Sequence, residues 1–268
     1  QALMAIFPDT PVGYSHYGRL DDLKRIKRQD LVDFHSRHYV GGNMVVAIVG
    51  DFYTREMRDW LLGNLAKFSS SQPREMKDLD LKDVKGPLEI SLKKNIEQAQ
   101  IVYVNRTLPV ADDRCVALEI AQTILSGGNN SRLIRNLRDR DAVAISSWAF
   151  NTGMANTGYF LATAVTSPAR APEAAKRLRE EIEAFKTGFT HEEFTAAKKF
   201  LIGQYALSLA DNLSLAENFA SDELLGRGFD YYRRYPQILA SATPEIVSEA
   251  ARQYMLASGS YAVAITTP

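Results

Sequence analysis

Two segments of the chain, DLVDFHSRHYVGGNMVVAIVG at residues 30–50 and EIVSEAARQYMLASGSYAVAITT at residues 245–267, share one layout. Each reads as an acidic start, a helix, Arg-x-Tyr, a short loop and an apolar strand. Arg37 matches Arg252, a separation of 252 − 37 = 215 residues. A helix feeding a strand twice in one chain points to repeated mixed α and β units. The second copy reads as nearly whole, over 88–268, whereas the first keeps only its closing helix and strand. The expected organisation is therefore a C-terminal part of a preceding domain at 1–70, a linker at 71–87 and a complete domain at 88–268. On this reading most of a first domain lies upstream of Gln1, and the chain, which opens on glutamine, is a processed product or a piece of something longer.

The periodicities between the two copies support mixed α and β structure. Leu23, Ile26, Leu31, Phe34 and His38 suit a helix or a pair of helical turns over 21–39, stopped by Gly41-Gly42. Six apolar residues at 44–49 predict a strand, and Thr54 is placed to cap a helix running to Phe68. Residues 69–85 lose this periodicity and fill with Ser, Lys and Asp, as a surface linker does. Strands are expected at 88–92 and 100–105, a helix at 113–125, and a hairpin of 143–150 with 158–165. A helix over 172–186 stops at Gly188, and Thr190 with Glu193 forms a capping box for a long helix to about Leu209. Helices at 215–225, 231–239 and 244–256 and a strand at 261–265 complete the expected elements.

Composition excludes several classes of partner. Thirty-two basic residues balance thirty-two acidic ones, so no overall field draws the chain to nucleic acid or to an anionic membrane. No run reaches the roughly 18 to 20 apolar residues a membrane span needs, and the first residues lack a basic-then-apolar signal pattern. The single cysteine, Cys115, excludes an internal disulfide framework and reads as a small residue on a buried helix face. With 46% apolar residues the chain can bury a substantial core.

The stretch LSGGNNSRLIRNLRDRDAVAIS, residues 125–146, offers two sharper chemistries. A glycine-rich turn before a helix can cradle phosphate, but Gly-Lys-Ser/Thr and Gly-x-Gly-x-x-Gly are both missing, and the segment before it reads as helix. Gly127-Gly128 then reads as a helix stop followed by a new cap. Arg132, Arg135 and Arg138 sit three apart, but Asp139 and Asp141 dilute the charge, and no aromatic residue alternates with them to stack a base. A solvated face with an Arg135–Asp139 pair at i,i+4 is expected. His35 and His38 supply two ligands at best, while His16 and His191 stand alone, so no metal site is expected here. His-x-x-Glu-His and Gly-x-Ser-x-Gly do not occur in the sequence.

Taken in order, FPDTPVGYSHYGRLDDLKRIKRQDLVDFHSRHYVGGNMVVAIVGD, QIVYVN, ALEIAQTILSGGNNSRLIRNLRDRDAVAIS and GFTHEEFTAAK resemble the insulinase/pitrilysin family of zinc metallopeptidases, which includes the mitochondrial processing peptidase. The resemblance implies an α+β fold, an antiparallel sheet backed by helices, with each half of a family member a pair of such domains closing around an unfolded peptide. It places the zinc motif in a domain upstream of the region matching residues 1–51. This chain is then the tail of a zinc-type domain followed by the whole non-zinc domain. No cofactor is expected in it; zinc is expected in the missing upstream domain or in a partner chain. The implied partners are an unfolded peptide and a zinc-bearing domain or homologous subunit, in a homo- or heterodimer. The alternative the family also supplies is a non-catalytic partner or scaffold subunit.

The resemblance further implies that the arginine of Leu137-Arg138 reaches across the chamber toward the scissile peptide, paired with a tyrosine seven residues on. There, zinc polarises the carbonyl while additional donors steady the oxyanion. Position 145 is isoleucine, which donates no hydrogen bond. Ser147 faces the same way but lies about 6.5 Å further along the strand, so it is a poor substitute. Arg138 is left as the candidate peptide-carbonyl contact or as an ion-pair partner of Asp141, with Gly127 and Gly128 as the candidate substrate-binding loop.

Overall fold

The computed structural model describes residues 1–66, 68, 79–256 and 261–267. The chain divides into two compact units: residues 1–14, 79–207 and 232–268, and residues 15–78 with 208–231. Of the expected linker at 71–87, residues 71–78 lie outside the described part, and 79–87 carry neither helix nor strand.

The first unit opens with the short helix α1 (Ala2–Ile6), and the second holds α2 (Leu20–Leu23), α3 (Arg28–His38) and α4 (Thr54–Leu65). In the second unit the Lys27 amide donates to Asp30 (2.8 Å), which caps α3. Tyr53 is the N-cap of α4, and Thr54 is its first helical residue instead of the expected cap. The expected strand at 44–49 does not form. Strand structure requires a hydrogen-bonded neighbour, and among the described residues this run pairs with none, so Val45, Val46 and Ile48 lie open. Met44 and Val46 instead border an apolar groove of about 370 Å³ with Leu61, Leu62 and Leu65 of α4. Neither α3 nor α4 contains a buried residue.

The first unit is built on a five-stranded sheet. Its strands are β1 (Leu88–Lys93), β2 (Ala99–Thr107), β3 (Ser146–Gly153), β4 (Gly158–Thr166) and β5 (Ala262–Thr267), in the order β1-β5-β2-β4-β3. All neighbours are antiparallel except β1 with β5. The expected strands and hairpin are therefore present, with ends shifted by a few residues. β2 and β4 owe their two-sided burial to cover on both faces. On one, α5 (Cys115–Ser126) packs on β3, and α6 (Ala171–Glu183) packs on β2 and β4. On the other, Ile6 and Phe7 at the end of α1 pack against Val104, Ala262 and Ala264. Tyr103 is buried at the centre, its hydroxyl donating to the Met255 carbonyl (3.0 Å), and burial pushes its pKa far up.

Helix α7 (His191–Ser208) starts with the expected capping box: the Glu193 amide donates to Thr190 Oγ1 (3.1 Å), and the Thr190 amide donates to Glu193 Oε2 (2.9 Å). Helices α8 (Asn212–Leu224), α9 (Tyr231–Ser241) and α10 (Pro244–Ala250) come next, α10 running on into a π-helical turn over Ala251–Met255. The Thr243 hydroxyl accepts from the Ile246 amide and caps α10.

Candidate functional site

Helix α5 stops where glycine is required. The Gly127 amide donates to the Thr123 carbonyl (2.6 Å), and a Cβ at Gly127 would lie 2.3 Å from Thr123 Cγ2. Gly128 has φ +128°, a backbone state that L side chains rarely adopt. The chain turns through Asn129 and Asn130, and the Ser131 amide returns to the Gly128 carbonyl (3.0 Å).

Beyond this turn the backbone winds wider than an α-helix. Ile134–Arg140 is π-helical, and the Asp141 amide closes it on the Asn136 carbonyl (3.0 Å). Such turns are uncommon and concentrate at functional sites. The surroundings hold this one open. Leu137 is fully buried, and its carbonyl receives the amides of both Val143 (2.8 Å) and Ala144 (3.1 Å). Asn136 Nδ2 donates to the buried Glu181 (2.7 Å), Arg177 reaches Asp141 (2.6 Å), and Arg170 donates to the Ala142 carbonyl. Ala142 itself sits at φ +49°. Arg140 and Arg177 together hold the Asp141 carboxyl down at about 2.

The basic helix is consequently not the evenly solvated face that its arginine spacing suggests. Arg132 is only 13% exposed; it forks onto Glu193 (2.6 and 2.8 Å), donates to the Gly188 carbonyl and lies over the Phe185 ring. This pairing, chiefly the Arg132 hydrogen bonds, holds the Glu193 carboxyl down at about 2. Arg135 reaches Glu193 (3.3 Å) in place of the expected Asp139, since the wider turn breaks the i,i+4 register. Asp139 pairs with Arg138 (2.7 Å), so Asp141 is not the partner of Arg138.

Arg138 remains 41% exposed on the side of this turn. Ile145, just ahead of β3, is 55% exposed, its amide donating to the Val165 carbonyl (2.7 Å). Ser147 is buried and donates to the Thr163 carbonyl (2.7 Å), so its hydroxyl is committed inside the sheet. Position 145 carries no side-chain hydroxyl.

The loop carrying Gly127 and Gly128 does border a concavity. Together with the first turns of α7 it forms a groove of about 580 Å³, floored by Ile124, Ala197 and Phe200 and rimmed by Asn129, Asn130, Arg135 and Glu192. The capping box marked the start of α7 in the sequence, but nothing there signalled that Arg132 would bind Glu193, 61 residues on. Two of the histidines are engaged elsewhere: His35 stacks on Tyr39 (4.5 Å), and His38 lies tilted against Phe34 (4.3 Å). Cys115 is partly buried instead of fully so, its thiol 3.2 Å from the Pro109 carbonyl. Among the described residues no three of His, Cys, Asp or Glu converge as a metal site, and no helix is long and apolar enough to cross a membrane.

A largely antiparallel five-stranded sheet backed by helices defines an α+β domain. The family model described as the peptidase M16 inactive domain matches residues 25–201, and the chain belongs to that family. This establishes the insulinase/pitrilysin resemblance seen in the sequence. An uncharacterized zinc protease of Mycobacterium leprae is 27% identical over 99% of this chain and 60% of its own length. A protein of Helicobacter pylori named a non-peptidase homolog is 23% identical over 80% of this chain and 50% of its own length. The crystal structure of a peptidase M16 inactive domain from Pseudomonas fluorescens superposes with a TM-score of 0.89 at 19% identity, over all of this chain and 64% of that one. The chain thus spans less than two thirds of the length of these relatives.

Proposed function

We propose that this chain supplies the non-zinc wall of a peptide-binding chamber in an insulinase/pitrilysin-like metallopeptidase, with Arg138 donating to a carbonyl of an unfolded peptide and the Gly127-Gly128 loop bordering the bound chain. The observation that carries this is the inactive-domain match, which encloses an arginine displayed on a π-helical turn. The residues present do not fit a zinc ion: His35 and His38 are engaged by aromatic rings, and no third ligand converges on either among the described residues. On this reading zinc belongs to a domain preceding this one or to a homologous subunit, in a homo- or heterodimer, which the inactive-domain match and the zinc-protease relative support. On the same reading residues 1–70 are the tail of that preceding domain, 71–87 a linker and 88–268 the complete non-zinc domain, with residues 1–14 of the tail packed onto the sheet of the latter. The apolar residues left open at 44–48 support this, since a strand of a larger sheet would be covered.

The test is titration of a labelled unfolded peptide with the chain. Arg138→Ala is expected to weaken binding about tenfold, as loss of a charge-assisted hydrogen bond does. The chain alone is expected to hold no zinc and to cleave nothing. One equivalent of zinc by elemental analysis, with chelator-sensitive cleavage, would overturn the assignment.

Ile145 and the Helicobacter relative's name favour a second reading, a non-catalytic partner or scaffold subunit. The roughly 150 residues encoded ahead of this region decide between them. An intact His-x-x-Glu-His there supports the peptidase, and its loss supports the scaffold.

A further inference from the structure

We propose that Asn136 and the buried Glu181 of α6 are positioning residues for Arg138: the hydrogen bond between them holds open the π-helical turn on which Arg138 meets a peptide. This rests on the peptide contact assigned to Arg138 above and names what places its guanidinium. The turn is not a self-supporting element. A π turn is rare within a helix, and here the chain leaves it through Ala142 at φ +49°, a left-handed state that alanine disfavours. Such conformations persist where the surroundings over-determine them. Asn136, whose carbonyl accepts the Asp141 amide (3.0 Å) and so closes the turn, is held through its side chain to Glu181 Oε2 (2.7 Å). Arg177 bonds Asp141 (2.6 Å) and reaches Glu181 (3.4 Å), so one guanidinium joins the end of the turn to the same acid. Arg170 donates to the carbonyl of Ala142 itself. Glu181 and Arg177 lie one turn apart on α6, which packs on β2 and β4. The position of the turn is thereby fixed to the sheet.

The effect on Arg138 follows from helix geometry. In an uninterrupted α-helix Arg132, Arg135 and Arg138 would form one row, since residues three apart are neighbours. Arg132 and Arg135 do share a partner, Glu193. Arg138 pairs instead with the adjacent Asp139 (2.7 Å), and both side chains of that pair are open to solvent. An exposed pair of this kind contributes little, so the guanidinium can exchange Asp139 for a peptide carbonyl at small cost. Arg132, forked onto Glu193 in a partly buried site, cannot. The network around Glu181 is therefore what separates one available arginine from two committed ones, and it does so without touching the peptide.

The experiment is a double-mutant cycle on the whole chain, read by fluorescence anisotropy of a fluorescein-labelled unfolded peptide. Asn136→Ala is expected to weaken binding about fivefold in the parent and to change it by less than about 1.5-fold in the Arg138→Ala background, where no guanidinium is left to misplace. Glu181→Gln keeps the shape and an acceptor for Asn136, and is expected to fall between the parent and Asn136→Ala. Arg170→Ala removes the tie to Ala142 from a half-exposed side chain and gives a second, milder reading of the same coupling. Amide hydrogen exchange reads the turn itself: Val143 and Ala144, which share the Leu137 carbonyl, are expected to exchange about tenfold faster in Asn136→Ala while the amides of β2 and β4 are unchanged. Equal losses of affinity in both backgrounds, or parent affinity in both Asn136→Ala and Arg170→Ala, would show that the network serves the fold alone and would refute the positioning role while leaving the Arg138 contact standing. A parent chain that binds no peptide, or binds it without dependence on Arg138, would overturn the contact and the positioning role together.

Discussion

Replacing Glu193 with glutamine removes one charge from the least exposed ion pair among the described residues and keeps the shape. Arg132 and Glu193 are 13% and 17% exposed, joined by two hydrogen bonds of 2.6 and 2.8 Å. Breaking a fully buried pair from one side costs about 3–5 kcal/mol, because the remaining charge stays desolvated. Water reaches the edge of this pair and glutamine retains an acceptor, which puts the expected loss nearer 2–3 kcal/mol. The carboxyl's own acidity agrees: held at about 2 instead of 4.5, it contributes about 3 kcal/mol at 1.36 kcal/mol per pH unit. Because the folded value lies below the unfolded one, that stability is present above about pH 4.5 and is lost as pH falls toward 2. Urea melts of Glu193→Gln should show the deficit at pH 7 and a flatter dependence between pH 4.5 and 2. Arg132→Met with Glu193→Leu should recover part of it, since neither buried charge is then stranded, while the Thr190 amide and Arg135 still lose their Glu193 partner. A glutamine variant within 0.5 kcal/mol of the parent, or one keeping the full acid dependence, would show that the pair does not hold the loop to α7 (~0.5 kcal/mol being the usual effect of a neutral surface change).

Gly127→Ala should destabilise the chain by about 1–3 kcal/mol, the range for forcing a methyl into packed space, because its Cβ would lie 2.3 Å from Thr123 Cγ2. An unchanged melting temperature would mean the end of α5 repacks freely. Ile145→Tyr should fold like the parent, being exposed, and should bind an unfolded peptide a few-fold more tightly by adding a hydroxyl donor at the entry to β3. Equal affinity in parent and variant would remove position 145 from any role in peptide contact.

The sheet's strands were legible because they announce themselves as apolar runs bounded by turn residues, and the hairpin expected from 143–150 and 158–165 is the β3–β4 pair. The strand expected at 44–49 shows the limit of that logic. An apolar run states that a residue wants cover and says nothing about which segment provides it. The candidate site shows a different limit. Gly127 as a helix stop and Thr190-Glu193 as a cap were visible, because both are local devices. The π-helical turn was not, because it is imposed by Glu181, Arg177 and Arg170 from 28 to 45 residues away. Spacing alone therefore assigned Arg135 the wrong acid and left Arg132 on a solvated face, when its guanidinium is a structural tie.

The order β1-β5-β2-β4-β3 has a consequence for how the chain is made. β5 lies between β1 and β2, and its residue Ala262 pairs with Leu88, 262 − 88 = 174 positions earlier. During synthesis β2, β3 and β4 can assemble as they emerge, but β1 has no neighbour until residue 267 is free of the ribosome. Until then β2 presents an uncovered edge, the template on which nascent chains aggregate. Closure of the sheet is thus a late, long-range step, slow by the measure of contact order. A nascent chain stalled before residue 262 would expose that edge to chaperones and proteases for as long as it waits.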